Sequence, residues 1–555
     1  MIRIHRGPSR RPLRTRSLPL PLLMLIAGTF TAAPAHGQQP GGEAATDAGS
    51  PGAVPARQLS SSYLPLDHWA VPAIDLWIAR GRIRTLSPFV KPWRRIEVAA
   101  ALLALDPEAL SGAERRWLAR LEEEFAPERA RLRGEAAPEG EVAFSAAAGF
   151  DVWSQTHRDP LRAELDGEFG DAELLEAVGL EAEGHAGPVA GAMRLWRRGL
   201  YREDAQFPGG QVTPPREAFI LDDVSSRFEE SYLELQSPYA RVSFGRMYRN
   251  WGPPGLPGFL RSSYAYSEDE IGYRLGTERI FAIGTIASYS DFGGDTTRYV
   301  SAHRLEVRPF DDLILAISES SVHGGPSENL DWRLVNPLTV WQFTGDEEKT
   351  PFNKVGQADV WWHAGPGLNL YGSLLADATN REGSCCQMGG SFGIELPSLL
   401  SAWLLRGTVT AIQSLAYRTE LPWEEYSVNR IGLGWDKVDL YLATLEASGI
   451  PLPGLWLQPR IDLQVRGEGD FRTLRPPGEV LDTFPRILVG QEETTIRPSL
   501  AGRWHAGTRA PVDVFWDVGL NVVRDYRNRE GDDRTEFTGR LEVRIASPRS
   551  LIRLP

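Results

Sequence analysis

The chain has 555 residues, of which 42% are hydrophobic, 24% charged and 10% aromatic, with a formal net charge of −13. That balance supplies enough apolar side chain for a folded protein rather than a disordered one, and the negative charge repels phosphate backbones, so no nucleic-acid partner is expected. Glycine and proline make up about one residue in six, which favours turns over long helices, and beyond the N-terminus no apolar run approaches the ~18 residues of a spanning helix.

Arg3, Arg6, Arg10, Arg11, Arg14 and Arg16 precede an apolar stretch from Leu18 to Phe30, and Ala35-His36-Gly37 offers a small-residue cleavage site. Residues 1–37 therefore read as a signal peptide for export. Its removal takes away six arginines and no acids. Residues 38–62 are rich in Gly, Ala and Pro and read as a disordered linker. Residues 63–133 carry helical spacing. Asp67 can cap a helix bearing Trp69, Ile74, Leu76, Trp77 and Ile78, and Gly81 can stop it. Ile96, Ala99, Ala100, Leu102 and Leu103 form a second apolar face, and Leu110, Trp117, Leu118 and Leu121 a third. A module this small is expected to dock on something larger.

From Glu141 to Ala546 the period changes to two. Val512, Val514, Trp516, Val518, Leu520 and Val522 share one face, with Asp513, Asp517 and Asn521 on the other. Ile461, Leu463 and Val465 alternate with Asp462, Gln464 and Arg466; Leu541, Val543 and Ile545 alternate with Arg540, Glu542 and Arg544. A soluble sandwich alternates as well. Strand length near the ~9–11 residues that cross a bilayer favours a membrane barrel. So do the aromatic residues expected to form interfacial girdles: Trp153, Trp196, Tyr201, Trp251, Trp361, Trp362, Tyr371, Trp435, Tyr441, Trp456, Trp504 and Tyr526. The fold class is thus mainly β: an outer-membrane antiparallel β-barrel of about 18 strands with a small N-terminal α-helical module. The last strand is placed at Thr535 to Ala546, and residues 547–555 form a tail, because the terminal Pro555 cannot donate to a ladder. Cys385 and Cys386 are adjacent and close no useful loop. The nine His show no ligand spacing, and neither a metal nor a cofactor is expected.

One stretch is distinctive: Ser243-Phe244-Gly245-Arg246-Met247-Tyr248-Arg249-Asn250-Trp251-Gly252-Pro253-Pro254-Gly255, a strand running into a Gly/Pro turn. It resembles the G-R-x-x-x-x-W-G-P-G type segment of the capsule-assembly Wzi family of outer-membrane proteins, with Gly245, Arg246, Trp251, Gly252 and Pro253 at the motif positions. Tyr63 to Trp69 and Lys91 to Glu97 are similar to that family's opening helices, and Asp331 to Pro337, including Asn336 and Pro337, to its mid-barrel Asn-Pro segment. The resemblance implies a barrel in the outer-membrane lipid with an associated helical bundle. It implies a monomer that attaches capsular polysaccharide to the cell surface, lectin-like and without catalysis.

Sugars stack their C–H faces on aromatic rings, while planar polar groups read their hydroxyls. Arg246, Tyr248, Arg249, Trp251, Arg261, Tyr264 and Tyr266 lie within one strand and loop and are the candidate polysaccharide-binding residues, with Phe259 among them in sequence. The same residues also suit another role: Trp251 and Tyr264 as packing or girdle residues, and Arg246 paired with an acid on the lumen wall. A porin on the same architecture and a periplasmic carbohydrate-active enzyme are the alternatives. For the enzyme, the acid pairs Glu229-Glu230, Glu268-Asp269-Glu270, Asp311-Asp312, Glu347-Glu348, Glu424-Glu425 and Glu492-Glu493 read as solvated turn residues. No G-x-S-x-G elbow, P-loop or nucleophile–base set accompanies them.

Overall fold

A strand whose apolar and polar residues alternate needs one dry and one wet face, and in lipid only a closed sheet leaves no unpaired edge. The computed structural model describes residues 54–135, 140–155, 173–199, 224–264, 267, 269–289, 296–336, 352–377, 387–400, 403–428, 431–475, 486–507, 511–548 and 550–554. Within them the wall is a closed antiparallel barrel of eighteen strands. These are β1 (Gly140–Gln155), β2 (Glu173–Ala186), β3 (Val189–Gly199), β4 (Val224–Gln236), β5 (Ala240–Arg246) and β6 (Asp269–Gly276). Then come β7 (Ile280–Tyr289), β8 (Thr296–Phe310), β9 (Leu313–Pro326), β10 (Phe352–Gly365), β11 (Leu368–Asp377) and β12 (Gln387–Leu400). The circuit ends with β13 (Trp403–Ile412), β14 (Leu440–Leu452), β15 (Leu455–Arg466), β16 (Glu493–Ala506), β17 (Val512–Arg524) and β18 (Arg534–Ala546, resumed at Ser550–Leu554).

Each strand pairs with its sequence neighbours, and β1 closes the circuit on β18. The expected barrel and its strand number are borne out. The tail is a correction. Ser550–Leu554 pairs with the start of β1, from Phe144↔Ser550 to Gly140↔Leu554. The ladder breaks only around Pro548, where the Ser547 hydroxyl accepts from the Ala146 amide at 3.0 Å. Leu551 to Leu554 all retain their N–H groups, so the terminal proline does not stop the strand.

The period-two pattern sorts residues as expected. Leu233, Phe244, Ile317, Leu374, Leu445 and Phe537 are exposed on the outer surface, while their neighbours Glu234, Ser243, Ser318, Ser373, Glu446 and Thr538 are buried inside. In β17, Leu520 and Val522 face out and Asn521 is buried. The girdle is corrected in part. Trp362, Tyr441 and Trp504 are exposed outside, but Trp251, Trp361, Tyr371, Trp435 and Tyr526 are buried and Trp456 packs against the helical core. On the barrel strands, parity rather than aromatic character decides the side, as Trp361 and Trp362 show; Trp251, Trp435 and Tyr526 lie on connections that fold inward. Tyr201 and the side chains of Trp153 and Trp196 lie outside the described residues, as do residues 1–37 and both cysteines.

The two ends of the barrel differ. Residues 187–188, 237–239, 277–279, 311–312, 366–367 and 453–454 make tight turns at one end, and long connections, 247–268, 327–351, 413–439 and 467–492 among them, lie at the other. The short-turn end holds four helices: α1 (Val71–Ala79), α2 (Arg95–Leu103), α3 (Gly112–Glu124) and α4 (Ala126–Leu132). Ser111 and Glu114 form a reciprocal capping box that starts α3. Gly81, at φ 67°, follows the end of α1. Ile74, Trp77, Ile96, Ala99, Trp117, Leu121 and Phe125 build one core, completed by Leu404 and Ile450 from the lumen wall.

The module meets strands around much of the circumference. Ser60 Oγ donates to Gly187 O at 2.6 Å, Tyr63 Oη to Glu234 at 2.9 Å, Arg80 Nε to Pro397 O at 2.8 Å, and Asn369 to Ala79 O at 2.8 Å. Trp69 stacks on His505 with centroids 4.7 Å apart. Two local expectations change. Asp67 does not cap α1, whose N-cap is Ala70. It instead accepts from Arg194 at 3.2 Å and Arg544 at 3.3 Å. Burial alone raises its pKa, but these two guanidinium groups and Arg503 hold it well below the usual carboxylate range. The described end of the linker is tied down, with Ser60, Ser61 and Ser62 buried against the strand ends.

Candidate functional site

Seven residues from Arg246 to Tyr266 are the candidate binding surface. The structure turns most of this segment inward. β5 ends at Arg246, and the chain then dips into the lumen, where Asn250–Trp251 pairs antiparallel with Val90–Lys91 of the helical module. Gly252 N donates to Phe89 O at 3.1 Å. Gln357 on β10 clamps both arms of the loop: its Nε2 donates to Trp251 O at 3.1 Å and its Oε1 accepts from Leu260 N at 3.1 Å. The arms touch so closely that a Cβ on Gly252 would lie 2.4 Å from Gly258 N, which explains glycine at this motif position.

Trp251 is 1% exposed and packs with Phe281, Ile283 and Ala302. Its ring has no open face for a sugar, so it leaves the candidate set. Arg249 and Arg261 converge on one carboxylate, Glu270 of β6. Arg249 Nε donates to one oxygen, and Arg261 Nη2 to the other at 2.6 Å. Burial disfavours the charge on both arginines, but the Glu270 carboxylate outweighs it and keeps them protonated. These two side chains brace the loop. Arg246 pairs with Asp269 at 3.0 Å on the outer edge of the wall. The second reading fits Trp251 as a packing residue and Arg246 as an acid-paired one, although Arg246 sits on the outward face with Val242 and Phe244 rather than on the lumen wall; Arg249 and Arg261 are paired too. Tyr248 and Tyr264 remain half-buried at the long-loop end; Tyr266 lies outside the described residues. Of the Asn-Pro segment, Asn336 is exposed and Pro337 is not described.

A second long connection completes the plug. From 413–439, Tyr417, Tyr426 and Trp435 fold inward against Phe259 and Leu260. Tyr417 Oη donates to Phe259 O at 2.8 Å and Tyr426 Oη to Leu260 O at 3.0 Å, while the Phe259 and Trp435 rings stack at 5.8 Å. Arg298 of β8, 0% exposed, holds this loop through main-chain carbonyls, donating to Trp423 O at 2.8 Å, Glu425 O at 2.5 Å and Ser427 O at 3.0 Å. The loop presents Trp423, half-buried beside Gly325, at the long-loop end. Trp423 is not among the candidates legible in the sequence, because it stands in a short polar setting; its signal is the Pro422-Trp423-Glu424-Glu425 turn. Arg333 nearby in β9–β10 donates to Asp331 at 2.6 Å, and this hydrogen bond holds the Asp331 carboxyl below its usual range.

The acid pairs are corrected as well. Glu230, Glu270, Glu424 and Glu493 are buried rather than solvated. Glu270 is consumed by two arginines, Glu493 accepts from Arg527 N at 2.7 Å, and Glu424 from Thr419 Oγ1 at 2.8 Å. Among the described residues no group of three or more His, Cys, Asp or Glu side chains is arranged to hold a metal.

No family model and no curated protein sequence matches the chain. Solved structures do. Wzi, an outer-membrane protein involved in group 1 capsule assembly in Escherichia coli and described as a carbohydrate-binding β-barrel, superposes with a TM-score of 0.58 at 12% identity, over 88% of this chain and 99% of that one. OccD3 (OpdP) of Pseudomonas aeruginosa gives a TM-score of 0.40 at 10% identity over 74% of this chain and 91% of that one. A BenF-like porin from Pseudomonas fluorescens gives 0.41 at 10% identity over 74% and 98%. The fold is that of bacterial outer-membrane barrels.

Proposed function

We propose that this barrel binds exported surface polysaccharide, capsular polysaccharide in particular, at its long-loop end and holds it on the outer membrane as a monomer, without altering it chemically. The observation that carries this reading is the plug: the helical module from one end and the 247–268 loop from the other meet at the Val90–Lys91 and Asn250–Trp251 ladder, and the 413–439 loop packs on Phe259 and Leu260 of that loop. A lumen occupied in this way suits a surface-binding protein better than a diffusion channel. The likeness to Wzi supports the same reading. The binding residues are assigned to the half-buried aromatics at that end, Tyr248, Tyr264 and Trp423, with Arg246 two residues before Tyr248 and Arg333 on the β9–β10 connection. Many weak stacking contacts along a polymer add through multivalency, so each alone contributes modestly.

The test is the partition of polysaccharide between cells and medium. Deleting the protein is expected to increase the released fraction. Tyr264→Ala with Trp423→Ala is expected to do the same while the barrel keeps its heat-shifted mobility on gels. A deletion strain that retains all its polymer contradicts the proposal.

A further inference from the structure

A cavity of about 140 Å³ lies between the helical module and the β4–β8 wall. Its rim is formed by exposed residues at the short-turn end, Thr85, Ala104 and Glu278. It reaches inward to Ser243, Ile283 and Arg249, beneath the plug loop. In outer-membrane barrels short turns face the periplasm, so this mouth opens on the side opposite the proposed polysaccharide face.

The lining is unequal in charge: Arg241, Arg249, Arg274, Arg308 and Lys91 against three glutamates. Most cations are engaged. Lys91 pairs with Asp75 at 2.7 Å, Arg241 with Glu97 at 3.2 Å, and Arg249 with Glu270. Arg308 donates to the Leu86 carbonyl at 3.3 Å, and its buried Nε has no partner. Arg274 stands apart. Its guanidinium lies 3.5 Å from the centroid of the Phe281 ring and, among the described residues, makes no ion pair and no hydrogen bond. A partly buried guanidinium stacked on an aromatic ring, with all five donors unused, is a ready fork for an oxyanion. The ring beside it and Trp93 supply apolar surface. The volume is close to that of the ~150 Å³ cavity that holds a benzene ring.

We infer that this cavity is a binding site for a small organic anion of one-ring size carrying a carboxylate, such as a single acidic sugar residue, held by Arg274 and Arg308 and entering from the short-turn side. Glu97, whose charge Arg274 helps to stabilise, keeps its ion pairs with Arg94 and Arg241 when Arg274 is replaced, so no buried acid is orphaned. Titration calorimetry on the full-length barrel in detergent, with glucuronate as the probe, tests this. Glucuronate is expected to bind. Arg274→Gln is expected to weaken it by about tenfold or more, the loss of one charge-assisted hydrogen-bonded contact. Ala104→Trp, at the exposed rim, should block it with the heat-shifted mobility retained. Glucose should not bind, since it lacks the charge, and inorganic sulfate should bind more weakly than glucuronate, since it lacks the ring. Tyr264→Ala with Trp423→Ala, at the other end, should leave glucuronate binding intact, which separates this site from the polysaccharide face. No binding of glucuronate, equal binding to Arg274→Gln, or sulfate binding as tight as glucuronate overturns the inference.

Discussion

Removing the Trp251 side chain tests whether the loop between β5 and β6 is a plug or a surface. Trp251 is 1% exposed, wedged among Phe281, Ile283 and Ala302, and its carbonyl is held by Gln357 at 3.1 Å. A buried Trp→Ala change costs about 3–5 kcal/mol. The wall has its own continuous ladder, so the cost falls on the seating of the loop rather than on barrel closure. At 1.4 kcal/mol per tenfold, the open population of the loop should rise by about a hundredfold to a few thousandfold. Hydrogen exchange at the amides of Gly252 and Leu260, bonded to Phe89 O and Gln357 Oε1, reads that population directly. Planar-bilayer recordings should show more frequent openings in Trp251→Ala than in the parent. Trp362→Ala, which trims an outward-facing ring, should change neither. Exchange at Gly252 and Leu260 as slow in Trp251→Ala as in the parent would refute the plug.

On the lipid face, Leu500→Arg should cost roughly 2–4 kcal/mol near the bilayer midplane and impair assembly, whereas Ser499→Arg, one residue along and facing the lumen, should not; urea unfolding in bilayers compares them. Docking of the helices should be acid-sensitive. Burial raises the pKa of Glu97, but Arg94, Arg241 and Arg274 more than reverse this and bring it from 4.5 to about 2. A depressed carboxylate stabilises above its unfolded pKa, so about 3 kcal/mol should be present at neutral pH and disappear as pH falls from ~4.5 towards 2. Tryptophan fluorescence should follow this loss, and Glu97→Gln should reduce the pH dependence, leaving the part that Asp67 contributes. Arg298→Met removes donors to three carbonyls and should release the 413–439 loop to protease while the barrel stays heat-modifiable.

Much of this architecture is written in local pattern. Alternation along β17 assigns Leu520 to the outside and Asn521 to the inside without any tertiary information. Helical spacing likewise marks Ile74, Trp77, Trp117 and Leu121 as one core. The loops were harder because their fate is decided by what lies across the lumen. Trp251, Arg249 and Arg261 have the composition of a sugar-binding surface, and only the partners Phe281 and Glu270 reveal them as packing and bracing. A signal was present: Leu256-Pro257-Gly258-Phe259-Leu260 is too apolar for a solvated loop, and paired glycines mark close chain approach. The last strand is hard to read locally because Pro555 looks like a stop, whereas the four residues before it all pair with the start of β1.

The measurement closest to the central claim is direct binding of capsular polysaccharide, isolated from the cells that express this protein, to the purified barrel on a sensor surface. Saturable binding is expected, with affinity reduced in Tyr264→Ala, Trp423→Ala and most in the double variant, and with Leu500→Arg excluded by its assembly defect. An assembled barrel that binds the polymer no better than a heat-denatured sample, or a double variant indistinguishable from the parent, would contradict the assignment of this face to polysaccharide.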